Sequence, residues 1–348
     1  MKNVELNYYK NLKDVLSFWQ DIFAQSSLSY FSSWQWHIVV KEFLKNTFIT
    51  KYKNNLTYFS AKEINNNTEV KLVGFFYLKK NGRKKTIQFA HLLGPSDYYD
   101  FIYKDDIDPL FIKQVIDKIA KDKGVTEVSF AHVRKDSKLY KTLSLFSAFH
   151  FEFLKCVSIS LVDCYEVHLK KLRKSVRQNL RTANNRIRKN NIAQEITYLT
   201  SNDLSSIDFE QLKSIYKKRS STKVQNTHWK TKIYKLLDDP FRREIDMFDI
   251  DVIRETDFVL GIIKFDNNVA AYFFGLKNKS GIEINRVAIN DEYRKYSPGM
   301  VLLDEFIKKG FELGMQTIDL TVGDEKYKYD LGGETHEIIN AQGKVCLD

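Results

Sequence analysis

Two pieces of the amino-terminal half of this chain return in the carboxy-terminal half in the same order. A chain that repeats itself at such a distance folds as two copies of one domain. LVGFFYL around Gly74 matches VLGIIKF around Gly261, 187 residues later. The helix, glycine and strand of VIDKIAKDKGVTEVSF, with Gly124, match EFIKKGFELGMQTIDL with Gly314, 190 residues later. Each piece is either an apolar, β-rich run or a 3.6-period helix closed by glycine, so the repeated unit is α/β. The length of 348 residues agrees, because single cores stop growing near about 250–300 residues.

Between these pieces strands and helices alternate. Leu72–Leu78, Ile87–Leu93 and Val125–Phe130 read as strands and Leu110–Lys123 as a helix. Helices are expected at Phe209–Lys218 and Trp229–Leu237, then strands at Ile245–Val252, Phe258–Phe265, Val269–Leu276 and Ile282–Ile289. Asn267 and Asn268 read as a hairpin turn, since Asn tolerates positive φ. A helix over Pro298–Leu313, a strand over Gln316–Thr321 and a polar, tyrosine-rich tail complete the pattern. Three cysteines (Cys156, Cys164, Cys346) show neither CxxC nor Cys/His spacing, which points away from a disulfide framework or zinc site and towards a reducing, cytoplasmic setting. The amino terminus has no apolar signal-peptide core. Serine-triad order, P-loop and HExxH are all missing, so hydrolase, ATPase and zincin chemistry are not expected.

Charge is concentrated. The formal net charge is +11, yet between Val167 and Gln194 stand nine Lys or Arg and no acid. Within the same segment Leu169, Leu172, Val176, Leu180, Ala183 and Ile187 recur at spacings of three and four, one face of a helix. Such an amphipathic basic helix either docks by its apolar stripe and leaves a solvated basic face, or binds an anionic substrate or headgroup, or meets nucleic acid. The last is disfavoured because no aromatic residues interleave with the charge.

Chemistry gathers after the strand that ends at Ile289. Ser297 is a favoured N-cap and Pro298 a favoured first helical residue. Amide N–H groups at such a helix start, at the positive end of its dipole, suit a pyrophosphate. Arg294 stands three residues before the cap, within reach of the same anion, and Gly299 allows close backbone approach. The competing reading is an ordinary well-capped helix. His228 beside Trp229 is read as structural rather than catalytic.

Arg294-x-x-Ser297-x-Gly299 resembles the Arg/Gln-x-x-Gly-x-Gly/Ala turn with which GNAT-superfamily acyltransferases bind the pyrophosphate of acyl-coenzyme A. From Tyr293 to Tyr329 the run YRKYSPGMVLLDEFIKKGFELGMQTIDLTVGDEKYKY is similar to the CelD-like branch of that superfamily, including its Gly323-Asp324-x-x-Tyr327-Lys328 tail. KKLRKSVRQNLRTANNRIRK resembles the basic helix that precedes the transferase domain in this branch, and LLGPSDYYDF (Leu92 to Phe101) its amino-terminal segment.

The resemblance implies two tandem GNAT-like domains of α/β (α+β) class, each a mixed, mostly antiparallel sheet flanked by helices, and distantly FemAB-like. Expected boundaries are a degenerate domain over 1–160, the basic linking helix over 161–192 and a catalytic domain over 193–348. In the first copy Lys104-Asp-Asp-Ile-Asp-Pro109 stands where the phosphate turn would be. Its carboxylates would repel the cofactor, so only the second copy is expected to bind it.

Carried over residue by residue, Val287, Ile289, Arg294, Tyr296, Ser297, Gly299 and Met300 are the expected coenzyme A contacts. Tyr327 is the candidate proton donor to the leaving thiolate, Glu283 a candidate general base, and Asp324 or Asp319 a base or acceptor ligand. Lys326 and Lys328 are candidates to neutralise phosphate. Arg173, Lys174 and Arg177 are expected to bind the acceptor.

The implied function is acyl transfer from acetyl-CoA, or another acyl-CoA, to an amino sugar or related amine in polysaccharide or cell-envelope biosynthesis, without a metal. The acceptor would be a small molecule, sugar nucleotide or lipid-linked saccharide. Nucleic acid is not an expected partner, and peripheral contact with an anionic membrane surface is left open. The alternatives are a FemAB-like aminoacyl-tRNA-dependent ligase and a non-catalytic anion-binding protein.

Overall fold

The structure is a computed structural model that describes residues 4–45, 56–64, 69–81, 84–91, 96–216 and 253–345. In chain order the elements are β1 (Val4–Tyr9), α1 (Leu16–Ala24), α2 (Trp34–Lys45), β2 (Leu56–Glu63), β3 (Val70–Asn81), β4 (Lys84–Phe89) and β5 (Ile102–Tyr103). Then come α3 (Pro109–Lys123), β6 (Glu127–Arg134), α4 (Lys138–Leu143), β7 (Phe149–Ser160), α5 (Tyr165–Lys171) and α6 (Lys174–Lys189). After β8 (Gln194–Leu199) a helix α7 is described over residues 209–216. The chain continues through β9 (Phe258–Phe265), β10 (Asn268–Lys277), β11 (Gly281–Ile289), α8 (Pro298–Glu312), β12 (Thr317–Val322), α9 (Lys326–Asp330) and β13 (Glu334–Lys344). The stretches expected at Trp229–Leu237 and Ile245–Val252, residues His228 and Trp229, and positions 92–95 of the LLGPSDYYDF segment lie outside the described residues.

Two compact units emerge, Met1–Lys155 with His336–Asp348, and Cys156–Thr335. Their topologies coincide. In the first, the strand order is β1-β2-β3-β4-β6-β13, antiparallel throughout except for the parallel pair β4/β6. In the second it is β8-β9-β10-β11-β12-β7, again antiparallel except for the parallel pair β11/β12. A parallel pair cannot be joined by a tight turn, so each unit places one helix in that crossover: α3 in the first, α8 in the second. Each unit is therefore a mixed, mostly antiparallel sheet flanked by helices, and the α3-Gly124-β6 and α8-Gly314-β12 pieces do correspond.

The other matched pair does not. LVGFFYL lies in β3, the third strand of its unit, whereas VLGIIKF is β9, the second strand of its own. The counterpart of β3 is β10. Apolar strands with one glycine are too alike in composition to fix register, which is why the match misled. The β9–β10 hairpin also turns one residue earlier than expected: Asp266 and Asn267 carry φ of 49° and 68°, the pair of positive values that a type I′ turn demands, and Asn268 already pairs with Phe265.

Each core lies beneath its crossover helix. In the first unit Phe111, Ile112, Val115, Ile116 and Ile119 of α3 join a core rich in Phe and Tyr. In the second, Val301, Leu302, Leu303, Phe306 and Ile307 of α8 pack with Ile282, Ile284, Ile318 and Leu320. No helix among the described residues is long and apolar enough to cross a membrane, and no group of three or more His, Cys, Asp or Glu among them could hold a metal ion.

Candidate active site

In the second unit β11 and β12 pair only from Gly281/Thr317 to Glu283/Asp319, although both strands run on. Two local irregularities pull them apart. The β10/β11 register shifts between Phe274 and Gly275, and the β12/β7 register shifts between Asp319 and Val322, where Thr321 adopts φ 56°. Thr321 is held there by its N–H on Asp319 Oδ1 at 2.7 Å and by its hydroxyl on Ile284 O at 3.2 Å. The result is a wedge between two parallel strands, open at their carboxyl ends.

Glu283 and Asp319 are register partners at the base of the wedge, 1% and 4% exposed. They alternate with Ile282, Ile284, Ile318 and Leu320 of the core, so both lie on the sheet face away from α8. Glu283 therefore occupies an interior strand and is not a carboxylate on an exposed edge. Nearby on β11, Arg286 is 9% exposed and lays its guanidinium over the Tyr216 ring at 3.9 Å.

Beyond Ile289 the chain makes a 3-10 turn over Asp291–Tyr296 and enters α8. Ser297 was expected to cap α8 with its hydroxyl. Instead it adopts φ 51° and ψ 46° and makes no side-chain cap. The left-handed conformation explains why the resembling turn has glycine at this position. The Ser297 carbonyl accepts from Met300 N and Val301 N, at 3.0 and 3.1 Å, and its N–H donates to Arg294 O at 3.0 Å. Arg294 is exposed and pairs with Asp291 at 2.5 Å. Tyr296, by contrast, is a core residue, 7% exposed, with its ring edge-on to Phe265 at 5.8 Å. A Cβ on Gly299 would stand 2.9 Å from Ile289 Cδ1, so this glycine brings the first turn of α8 against the end of β11. Val287 is half-buried against the core, while Ile289 is 36% exposed.

Past the wedge, Gly323 at φ 116° turns the chain into exposed Asp324 and then α9. Lys328 is 2% exposed and donates its Nζ to the carbonyls of Thr321, Val322 and Gly323 at 3.2, 2.9 and 3.1 Å, with Glu325 at 3.1 Å. That ammonium fastens α9 to the end of β12 and is not presented to a phosphate. Lys326 bonds Asp330 at 2.9 Å, and Arg173 bonds the other oxygen of the same carboxylate. The four-residue spacing of Lys326 and Asp330 is that of a helical ion pair, whereas nothing in the sequence pattern brings Arg173 to the same carboxylate.

The basic helix α6 docks by its apolar stripe: Val176, Leu180, Ala183 and Ile187 are all buried. Between α6, the start of α8 and α9 lies a cavity of about 390 Å³. Ser297, Met300 and Tyr327 line it together, joined by Asn179, Thr182 and Arg186 of α6 and by Lys326 and Asp330. Glu283, Asp324, Lys174 and Arg177 are not among its lining residues. Of the expected contacts, the cavity thus collects Ser297, Met300 and Tyr327. It adds Asn179, Thr182 and Arg186, whose three- and four-residue spacing beside the apolar stripe is the one sequence signal for them.

The first unit offers the matching control. There α3 begins at Asp108, whose carboxylate accepts from Leu110 N at 2.9 Å, with Pro109 as first helical residue. The start of this helix is occupied by the chain's own anion.

Residues 174–329 match the acetyltransferase (GNAT) domain family. None of the curated proteins matches the sequence. Among solved structures, FemX is similar over 96% of this chain and 96% of its own, at 11% identity and TM-score 0.58. A conserved protein of unknown function from Bacteroides thetaiotaomicron is similar over 98% of this chain and all of its own (100%), at 14% identity and TM-score 0.54. The C-terminal domain of a chain described as a lysylphosphatidylglycerol synthetase, from Agrobacterium fabrum, covers 77% of this chain and 80% of its own, at 13% identity and TM-score 0.51. At such identities the likeness is one of fold.

Proposed function

We infer, from a chain that carries a GNAT acetyltransferase domain over residues 174–329, an N-acyltransferase that uses acetyl-CoA or another acyl-CoA and an amine acceptor, an amino sugar of a cell-envelope polysaccharide precursor. The observation that carries the reading is the contrast between the two crossover helices. Asp108 closes the start of α3 with a carboxylate, whereas α8 starts at a left-handed Ser297 with no side-chain cap and faces a cavity. One helix start repels an anion and the other is suited to one.

The residues at the second site fit the donor. The Ser297 N–H is spent on Arg294 O and Pro298 has none, so the Gly299 N–H and the positive end of α8 are what the turn offers a pyrophosphate, with Arg294 beside it; the strand edge from Arg286 to Ile289, unpaired with β12, suits an extended pantetheine arm. Bound acyl-coenzyme A supplies an activated thioester. An acceptor ammonium must lose a proton before it attacks, and we assign that role to Glu283 at the base of the wedge, with Asp324 binding the acceptor at its mouth. Tyr327, carried on α9 and held in place through Lys328, gives its hydroxyl proton to the departing sulfur. Lys174 and Arg177 of α6, and Arg173 just before it, attract an acceptor that bears phosphate, with Arg173 shared with Asp330. A sugar-nucleotide or lipid-linked acceptor places the reaction on the cytoplasmic side.

Coenzyme A at about 100 times its dissociation constant is expected to stabilise the chain by about 2.7 kcal/mol in thermal unfolding. No shift at saturating coenzyme A overturns the reading in favour of another donor. Tyr327→Phe is expected to lower kcat about 100-fold with little change in the donor KM, because a proton donor acts in the transition state. Wild-type turnover in that variant removes Tyr327 from the chemistry.

A further inference from the structure

The basic helix α6 has two polar flanks, one on each side of its buried stripe. At about 100° per residue, Asn179, Thr182 and Arg186 fall on one flank, and Lys174, Arg177, Arg181 and Arg188 on the other. Only the first flank lines the cavity. Arg186 reaches past the helix to donate Nη1 to Lys295 O at 3.2 Å, which ties α6 to the turn before Ser297. Asp330, the acid of the cavity lining, is already taken by Lys326 at 2.9 Å and by Arg173. Arg186 has no carboxylate partner among the described residues, and it lines a cavity to which Ser297 and Met300 also contribute.

We propose that this flank of α6 is the third wall of the donor groove. Arg186 binds a phosphate of the donor's phosphopantetheine-bearing carrier there, with Asn179 and Thr182 as neutral hydrogen-bond partners beside it. The assignment rests on the acyl-CoA reading of the cavity. A guanidinium is suited to this work because its planar fork matches two phosphate oxygens at once and remains charged. Asn179 and Thr182 lie one to two turns before Arg186 on the same flank, so the three form a polar row along the groove. The four cations of the other flank face away from the cavity and take no part in donor binding. One helix thereby divides its charge between two ligands: a single arginine for the donor, a row of four for an anionic acceptor.

Calorimetric binding of coenzyme A and of pantetheine, which lacks phosphate, to the full-length chain tests the assignment. Arg186→Ala is expected to weaken coenzyme A binding by about tenfold or more and to leave pantetheine binding unchanged. Asn179→Asp, which places a carboxylate in the groove without touching the Lys295 link, is expected to act in the same direction. Lys174→Gln with Arg181→Gln is expected to leave both affinities as in the wild type. Unchanged coenzyme A affinity in both Arg186→Ala and Asn179→Asp overturns the proposal, and so does a loss of pantetheine affinity in step with coenzyme A, which marks Arg186 as a strut for the turn. A wild-type chain that binds no coenzyme A overturns the donor reading itself.

Discussion

Ser297 shows at the scale of one residue how a turn is specified by backbone conformation more than by side-chain chemistry. A left-handed conformation costs a non-glycine residue about 1–2 kcal/mol, partly offset because serine has less backbone freedom to lose than glycine. Ser297→Gly is therefore expected to leave stability unchanged or raise it by up to about 1 kcal/mol, whereas Ser297→Val loses stability; urea unfolding distinguishes the two. Gly299 carries a different constraint. Its missing Cβ leaves room for Ile289, so Gly299→Ala is expected to destabilise by about 1–3 kcal/mol through overpacking, and Ile289→Ala in the same chain to recover part of that loss. Additive losses in the double variant show that the two residues do not share the contact. The reason given for Gly299 on sequence grounds, close approach of a phosphate, is thus joined by a packing reason that only the position of β11 reveals. Lys328 teaches the converse: a lysine in a charged stretch reads as a cation for a phosphate, and nothing local shows that three carbonyls and a glutamate will surround it.

Elements were legible in proportion to how much of their pattern is local. The strand over Phe258–Phe265 and the helix beginning at Pro298 stand where their periodicity and turn residues put them. The basic segment is legible from Lys174 onward, but non-helical backbone at Leu172 and Arg173 divides it into α5 and α6, so the stripe from Leu169 to Ile187 is not one helix face; the α6 part of the stripe predicts which changes hurt. Leu180→Ala is expected to cost about 2–5 kcal/mol, since it empties a buried position between α6 and Met300, while Lys174→Gln changes stability by less than about 0.5 kcal/mol. Equal melting temperatures for the two variants contradict the docking. Residues 334–344 read as part of a polar tail and are instead β13, a strand with Ile338, Ile339 and Ala341 buried. Its partner β6 lies some two hundred residues earlier, with Ile338 opposite Arg134, and no short-range signal announces such a pairing. The wedge was illegible for the same reason, because it depends on register shifts against β10 and β7. The turn that begins α8, by contrast, was written in six consecutive residues.

Across the molecule, two units of one topology have diverged in what their interiors carry. The first keeps Asp100 buried, with Oδ2 accepting from Tyr103 OH and Oδ1 from Phe101 N, both at 2.8 Å. Burial pushes this carboxyl up to about 8 from the ordinary 3.8. A raised carboxyl contributes stability that is present below 3.8 and lost as pH climbs through 8. Burial also holds His37 and His91 below their ordinary 6.5, which favours folding as pH rises to that value. Asp304 of the second unit, raised by burial to about 6, opposes them in the same range. Above 6.5 Asp100 acts alone among these four, so unfolding free energy is expected to fall by up to about 1.4 kcal/mol per pH unit towards 8. Asp100→Asn, measured by urea midpoint against pH, is expected to flatten that slope; an unchanged slope places its origin elsewhere. The division of the chain has its own consequence for how the protein comes into being. Residues 156–335 form an uninterrupted unit, whereas the first unit waits for His336–Asp348 to lay β13 beside β6. A ribosome working from the amino terminus therefore delivers all of the second unit before it delivers the last strand of the first. The half that is begun first is the half that closes last.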